Sequence, residues 1–145
     1  ATAQAIDWLL PGYNVELSDK QIAIVGRGKL VGAPLEKMWR QRGLDVHVYD
    51  KSKPATVAEL QKCAVIVTAT GVPHLITAEM IAPGAVVVDA GTASEGGVLV
   101  GDVDDAVRQR SDITITPKKG GVGPLTYAVL FDHLIEACLR QLGKL

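Results

Sequence analysis

The fold is decided by the stretch Ile22-Ala23-Ile24-Val25-Gly26-Arg27-Gly28-Lys29-Leu30-Val31-Gly32-Ala33-Pro34. Its four leading apolar residues predict a strand that is buried on both faces. Gly26 and Gly28 permit positive φ values and let the backbone approach a bulky anion. Gly32 and Pro34 fall where a helix begins, and the free N–H groups and positive dipole end of that helix indicate a phosphate site.

The spacing of the glycines is a weak signal by itself. Gly26, Gly28 and Gly32 form G-x-G-x-x-x-G, which has one residue more between its second and third glycines than the dinucleotide fingerprint G-x-G-x-x-G. A tight strand-to-helix turn without a ligand is therefore an alternative. The chain downstream of the turn favours the ligand site.

The composition indicates a single globular domain. The chain has 145 residues, of which 48% are hydrophobic and 21% charged, and this length can bury a core. Aromatic residues make up only 4%, so Val, Ile, Leu and Ala fill the core, as is typical of a parallel sheet under helices. The net charge of −1 without a basic stripe argues against nucleic acid as a partner, and no membrane partner is expected.

Metal, nucleophile and redox chemistry are not indicated by the sequence. His47, His74 and His133 are isolated from one another and from any metal-ligand motif, so no metal site is predicted. Cys63 and Cys138 are far apart and fit no metal or redox spacing. We expect both to be reduced core residues of a cytosolic protein.

Alternating strand and helix patterns predict a doubly wound α/β fold. Helical segments separate strands predicted at residues 21–25, 45–49, 64–69, 85–89 and 112–116. We expect a Rossmann-like parallel sheet of these five strands in the order 3-2-1-4-5, with helices on both faces and a crevice beside the first strand. A long final helix over 125–142 carries a wider apolar face than one sheet contact requires, which indicates a second partner surface on another domain or subunit.

Small, flexible or charged residues follow the carboxyl end of each predicted strand, where ligands bind in such sheets. They are Gly26-Arg27-Gly28, Asp50-Lys51, Thr70-Gly71, Gly91-Thr92 and Gly120-Gly121-Val122-Gly123-Pro124, in the order of the strands. Isolated turns would not need such residues at all of these ends. The convergence indicates a dinucleotide site.

Asp50 and its neighbours give conflicting signals about the cofactor. Asp50 lies close to the expected position of the acid that binds an adenosine ribose. A carboxylate there accepts hydrogen bonds from the ribose hydroxyls and repels a 2′-phosphate, whereas Arg27 and Lys51 favour a phosphate. Asp50 and Lys51 are equally compatible with solvated surface charges.

Four stretches carry a family resemblance: residues 25–34, 81–91, 99–103 and 120–126. They span most of the chain in the family's order, and the run G-G-V-G-P-L-T at 120–126 is quite specific. Together they resemble the C-terminal, cofactor-binding domain of the bifunctional methylenetetrahydrofolate dehydrogenase/methenyltetrahydrofolate cyclohydrolase family. The resemblance implies oxidation of 5,10-methylenetetrahydrofolate to 5,10-methenyltetrahydrofolate with NADP, followed by hydrolysis to 10-formyltetrahydrofolate.

The resemblance also implies roles for individual residues. Cofactor contacts carry over to Gly26-Arg27-Gly28 and to Thr92, and Gly120–Pro124 match the loop that faces the folate and the nicotinamide. The family's catalytic lysine and tyrosine belong to an N-terminal domain, so no catalytic residue is expected in this chain, which alone should turn nothing over. Residues 1–145 are then a single dinucleotide-binding domain, with 1–12 as the linker helix from that domain, in a cytoplasmic homodimer.

Several residues depart from the family pattern. Gly28 stands where the family has serine, and Asp50-Lys51 stand where it has a His-Ser pair. The resemblance implies NADP as the cofactor, and NAD is kept as an alternative because Asp50 is present and a serine that holds the 2′-phosphate is missing. Lys118-Lys119 replace an uncharged, proline-containing segment, and Ala3 replaces a proline. The alternative functions are a non-catalytic nucleotide-binding or dimerisation module and another dinucleotide-dependent oxidoreductase.

Overall fold

The computed structural model describes all residues, 1–145. Its strands are β1 (Gln21–Val25), β2 (Asp45–Tyr49), β3 (Val65–Thr68), β4 (Val86–Asp89), β5 (Ala93–Glu95), β6 (Val98–Val100) and β7 (Thr114–Ile115). Its helices are α1 (Thr2–Gly12), α2 (Gly32–Gln41), α3 (Val57–Gln61), α4 (Asp105–Arg108) and α5 (Val122–Gln141), and a 3-10 turn covers Ala78–Met80. The predicted α/β fold with a five-stranded, all-parallel, Rossmann-like sheet is confirmed.

The order of the strands differs from the expected one. The sheet runs β2-β1-β3-β4-β7, so the predicted order 3-2-1-4-5 is wrong: the third strand lies between the first and the fourth, not at an edge beside the second. All four residues of β3 are buried, as a central strand requires, whereas the burial of β2 is interrupted and begins with an exposed Asp45. An uninterrupted apolar run therefore marks the interior strand, and a run containing Asp45 and His47 marks the edge.

This order places a switch point next to β1. From β1 the chain moves outward to β2, and it then crosses back over β1 to pair β3 on the other side. Because β2 and β3 pair with opposite edges of β1, and the connecting helices α2 and α3 cover opposite faces of the sheet, a crevice opens between the carboxyl ends of β1 and β3. The glycine turn at 26–32 and the loop from Ala69 border this crevice.

Two apolar cores lie on opposite faces of the sheet. Ile22 and Ile24 of β1 belong to one core, which α1, α2 and α5 cover, and the alternate residues Ala23 and Val25 belong to the other. Trp39 is fully buried in the first core, where its indole Nε1–H donates to Asp7 of α1 at 2.9 Å. Because Trp39 lies on α2, this bond fixes the helix that begins at the glycine turn.

Helix α5 begins earlier than expected. It starts at Val122 with Gly121 as its N-cap, whereas the sequence predicted a start at Leu125 after a loop. A proline is tolerated in a first helical turn, because the N–H that it lacks has no partner inside the helix. Pro124 therefore does not stop the helix, and residues 122–124 belong to its first turn rather than to the glycine loop.

The outer face of α5 is apolar and exposed, as the sequence predicted. Only Val122 and Val129 of α5 are buried, while its exposed large apolar side chains are Tyr127, Leu130, Phe131, Leu134 and Ile135. By length and composition alone α5 is long and apolar enough to cross a membrane, a criterion that core helices of soluble proteins also meet. Asp132, Glu136 and Arg140 also lie within it.

Two threonines precede short helical segments, and only one of them forms a cap. Thr56 caps α3 in a capping box with Glu59. Thr77, before the 3-10 turn, makes no capping hydrogen bond.

The two cysteines differ in burial. Cys63 is buried as expected, but Cys138 is exposed on α5 and is not a core residue.

Candidate functional site

A cavity of about 370 Å³ lies over the carboxyl ends of β1, β2 and β3. Its volume falls in the usual range for small-molecule sites. Apolar side chains make up much of its wall: Val25, Tyr49, Pro54, Leu60, Val72, Leu75, Ile76 and Met80. The polar and glycine residues come from the three loops that follow the strands: Gly26, Arg27, Gly28, Asp50, Lys51 and Thr70.

Two glycines of the turn are required by close packing. Gly26 has φ +106°, and a Cβ added to it would lie 2.5 Å from the carbonyl oxygen of Ala69 at the end of β3. A Cβ on Gly32 would lie 1.8 Å from the carbonyl oxygen of Gly26, so only glycine lets α2 begin this close to the turn. Gly28 has open space around it and does not use the positive φ that a glycine permits.

The backbone of the turn offers unpaired donors. The N–H groups of residues 27–32 donate to no protein acceptor, while the bonds from Gly26 N to the Tyr49 carbonyl (2.7 Å) and from Ala33 N to the Gly28 carbonyl (2.9 Å) close the turn on either side. The segment leads directly into α2, a helix of ten residues, so the positive end of its dipole adds to these donors. The arrangement can bind an anionic group such as a pyrophosphate.

Asp50 is held in a fixed conformation at the end of β2. Its Oδ1 accepts hydrogen bonds from the Ser52 N–H (2.8 Å), the Ser52 hydroxyl (2.6 Å) and the Lys53 N–H (3.0 Å). The hydroxyl of Ser52, followed by the two backbone donors, lowers the pKa of the Asp50 carboxyl below its usual value. Oδ2 takes no part in these bonds, so a charged oxygen is left for a ligand beside the exposed Lys51.

The side chain of Arg27 is paired with a carboxylate of α2. Its Nε lies 2.8 Å from Oε2 of Glu36, whose Oε1 lies 3.0 Å from Nε of Arg40. Partial burial raises the pKa of the Glu36 carboxyl, but the hydrogen bonds from Arg27 and Arg40 outweigh it, and the pKa lies below its usual value. Glu36 is therefore ionised near neutral pH and neutralises part of the positive charge beside the turn.

The loop after β3 is held by a buried aspartate that the sequence analysis did not single out. Asp102 is fully buried, and its Oδ2 accepts a hydrogen bond from the Thr70 N–H at 2.7 Å. A Cβ on Gly91 would lie 2.0 Å from Oδ1 of Asp102. We expected Gly91 to belong to the ligand site. Its lack of a side chain instead leaves room for the Asp102 carboxylate.

A second buried carboxylate ties the end of β4 to the segment after β6. Asp89 accepts hydrogen bonds from the backbone N–H groups of Gly91, Asp102 and Val103, at 3.1, 3.1 and 3.2 Å. Arg108 of α4 pairs with it at 3.0 Å, and the Asp89 side chain is 3% exposed. Sequence reasoning missed this network because acidic residues usually lie on the surface. The available signal was the glycines close to the ends of the buried strands, which leave space for a carboxylate.

The remaining predicted residues lie outside the cavity. Gly32 lies behind the turn, Gly71 follows Thr70 at the rim, and the Thr92 carbonyl oxygen would be 3.4 Å from a Cβ on Gly71. Gly120 and Gly121 line a separate cavity of about 190 Å³ under α1, Val122 is buried, and Gly123 and Pro124 are exposed on the first turn of α5. The structure thus brings together the residues after β1, β2 and β3, and leaves the loop after β7 apart.

Comparison with known proteins identifies one family. The family described as "Tetrahydrofolate dehydrogenase/cyclohydrolase, NAD(P)-binding domain" matches residues 1–142. The chain is 41% identical to the bifunctional protein FolD of Chloroflexus aggregans over 136 residues, covering 93% of this chain and 48% of that protein. It is 38% identical to FolD of Aquifex aeolicus over 148 residues, covering 99% and 50%. The chain thus spans about half the length of the curated relatives it matches.

Solved structures agree with this comparison. The bifunctional 5,10-methylenetetrahydrofolate dehydrogenase/cyclohydrolase of Thermoplasma acidophilum superposes with a TM-score of 0.89 at 28% identity, covering 99% of this chain and 52% of that one. The Trypanosoma brucei methylenetetrahydrofolate dehydrogenase-cyclohydrolase (FolD), solved with NADP and an inhibitor, superposes with a TM-score of 0.86 at 32% identity, covering 97% and 50%.

Proposed function

Because this chain belongs to the tetrahydrofolate dehydrogenase/cyclohydrolase NAD(P)-binding domain family, we propose that it is the cofactor-binding half of a bifunctional folate enzyme. The enzyme oxidises 5,10-methylenetetrahydrofolate to 5,10-methenyltetrahydrofolate with NAD(P) and hydrolyses the product to 10-formyltetrahydrofolate. The bifunctional relatives support both activities, and the NADP-bound relative supports the cofactor. The catalytic groups and most of the folate site belong to the half of the protein that this chain does not cover.

The observation that carries this proposal is the set of unpaired backbone N–H groups at residues 27–32, beside a cavity at the switch point of the sheet. These amides bind the pyrophosphate, and the apolar wall that includes Leu75, Ile76 and Met80 takes the adenine. Arg27, Asp50 and Lys51 lie where the adenosine ribose reaches the end of β2. Thr70 and Gly71 border the path of the cofactor towards β4.

The nicotinamide half of the cofactor extends past β3 in this proposal. Thr92 follows β4, and Gly120–Pro124 follow β7, at the same carboxyl edge of the sheet, which supports their assignment to the nicotinamide and the folate. When bound, the nicotinamide ring supplies the hydride acceptor. This chain's own contribution is to hold the ring in register with the folate, since correct placement of two reactants supplies much of such a rate enhancement.

The remaining parts of the proposal concern the whole protein. Residues 1–145 form one dinucleotide-binding domain, α1 connects it to the catalytic domain, and the cytoplasmic enzyme is a homodimer. The exposed apolar face of α5 and the half-length match to the relatives support a surface that another domain or subunit covers.

Titration calorimetry with NAD and with NADP tests the proposal. We expect this chain to bind a dinucleotide and to show no turnover of folate. Gly32→Ala should abolish binding, because its Cβ would collide with the Gly26 carbonyl oxygen, whereas Gly12→Ala, at an open position in α1, should bind like the wild type. Circular dichroism checks that both variants are folded. Absence of binding of either dinucleotide at millimolar concentration would contradict the proposal and favour a non-catalytic dimerisation module.

A further inference from the structure

We propose that two carboxylates of this chain, Asp50 and Glu36, make the site select NAD over NADP. The inference rests on the proposed function, which it deepens by assigning the form of the cofactor. NAD and NADP differ only in a 2′-phosphate on the adenosine ribose, so the charges near the end of β2 decide between them.

Asp50 supplies the first part of this selection. The three hydrogen bonds from Ser52 and Lys53 hold Oδ1, and thereby the plane of the carboxylate, in one orientation on the cavity wall. The free Oδ2 can accept hydrogen bonds from ribose hydroxyls, which NAD has and which NADP lacks at the 2′ position. A phosphate brought to the same place meets a fixed negative charge that has no freedom to turn away.

Glu36 supplies the second part of this selection, because it pairs with the arginine that would otherwise bind a 2′-phosphate. Arg27 lines the cavity, but its guanidinium lies 2.8 Å from Glu36. The Glu36 side chain is only 13% exposed and also pairs with Arg40, so it is held on α2 by both arginines. Nε of Arg27 is therefore already taken, and a phosphate that reaches the remaining N–H groups of Arg27 comes close to the negative charge of Glu36, which reduces the gain from the new hydrogen bonds.

The other two cations near Asp50 do not compensate for this. Lys53 has its Nζ 5.4 Å from the centre of the Tyr49 ring, over the aromatic face. Lys51 is exposed, and an exposed lysine on a flexible side chain contributes little to an ion pair. The local charge therefore favours the ribose hydroxyls over a phosphate, although Arg27, Lys51 and Lys53 outnumber the carboxylates.

The test is the ratio of the dissociation constants for NADP and NAD, measured by calorimetry on this chain. We expect the wild type to bind NAD at least about tenfold more tightly. Asp50→Asn keeps an oxygen for the Ser52 and Lys53 bonds and removes the charge, and it should lower the ratio by about tenfold. Glu36→Gln should lower it by about threefold, through tighter binding of NADP. Glu136→Gln on the exposed face of α5 removes one negative charge far from the cavity and should leave the ratio unchanged.

A half-molecule probe separates the 2′-phosphate from the rest of the cofactor. Adenosine 2′,5′-bisphosphate should bind the wild type more weakly than 5′-AMP, and Asp50→Asn should reverse or abolish the difference. If NADP binds the wild type as tightly as NAD does, or if Asp50→Asn leaves the ratio unchanged, the inference is overturned while the proposed function stands. If neither dinucleotide binds, the proposed function fails and the inference falls with it.

Discussion

The buried carboxylate of Asp102 accepts a hydrogen bond from the backbone N–H of Thr70, with Oδ2 2.7 Å from the nitrogen. Asp102 is fully buried, and its other oxygen, Oδ1, has no hydrogen-bond partner. Thr70 lies on the wall of the candidate cofactor cavity. A residue that follows the β5–β6 hairpin therefore fixes the loop that follows β3.

Replacement of Asp102 by alanine should destabilise the chain and weaken dinucleotide binding. The Thr70 N–H loses its acceptor and a small void is left, so we expect the free energy of unfolding to fall by about 2–3 kcal/mol. Asp102→Asn retains an acceptor and should lose less. Urea denaturation followed by circular dichroism measures the change, with Glu136→Ala on the surface of α5 as the control. A wild-type unfolding midpoint for Asp102→Ala would contradict the role of this bond.

Two glycines should be intolerant of alanine because carboxylates occupy the space of their missing side chains. A Cβ on Gly91 would lie 2.0 Å from Asp102 Oδ1, and a Cβ on Gly101 would lie 2.1 Å from Asp89 Oδ2. We expect each Gly→Ala variant to lose about 2–3 kcal/mol of unfolding free energy.

The contact behind this expectation can be checked by a double-mutant cycle. In the Asp102→Ala background the atoms that would collide are gone, so Gly91→Ala should cost less than it does in the wild type. Gly123→Ala, in the first turn of α5 with open space around it, should be neutral or slightly stabilising. Equal costs of Gly91→Ala in both backgrounds would show that the strain lies elsewhere.

The sequence predicted the elements of this fold better than their arrangement. Apolar runs located every strand of the sheet, since burial on both faces demands them. The order of the strands across the sheet depends on which connection crosses over β1. The polar residues Asp45 and His47 were the only sequence signal that β2 lies at the edge of the sheet. The start of α5 was missed because Pro124 reads as a helix breaker but is tolerated in a first turn.

Within the site, the glycine turn was predictable and the buried carboxylates were not. Gly26 and Gly32 must be glycine, because an added Cβ would lie 2.5 Å and 1.8 Å, respectively, from a backbone carbonyl oxygen. This is the close approach of backbone segments that the motif indicates. Asp89 and Asp102 look like surface acids in a linear sequence, and only the folded chain shows the backbone donors that stabilise them.

Alkaline pH should destabilise the chain through Cys63. Burial, followed by the charges of Asp45 and Glu59, raises the pKa of the Cys63 thiol from 9.0 to about 11. The unfolded thiol ionises first, so the stabilisation is complete below pH 9 and is lost as the pH rises through 11. Cys63→Ala should therefore show a smaller fall in unfolding free energy between pH 9 and pH 11 than the wild type. Cys138→Ala, at an exposed position, should keep the wild-type slope; identical slopes for all three proteins would exclude this role of Cys63.

The exposed face of α5 should make this chain self-associate. Leu130, Phe131, Leu134 and Ile135 are each more than half exposed, at 54%, 63%, 59% and 59%, and they lie on one helix whose other side packs on α1 and the sheet. Sedimentation velocity over about a hundredfold range of concentration should show a concentration-dependent oligomer. Phe131→Glu and Leu134→Glu should shift the chain towards monomer, because a charge cannot be buried unpaired in an apolar contact. Leu145→Glu, at an exposed apolar residue beyond the end of α5, should have no such effect. A monomer at every concentration would show instead that this face is not used between copies of the chain, and would leave the second domain of the proposed enzyme as the partner that covers it.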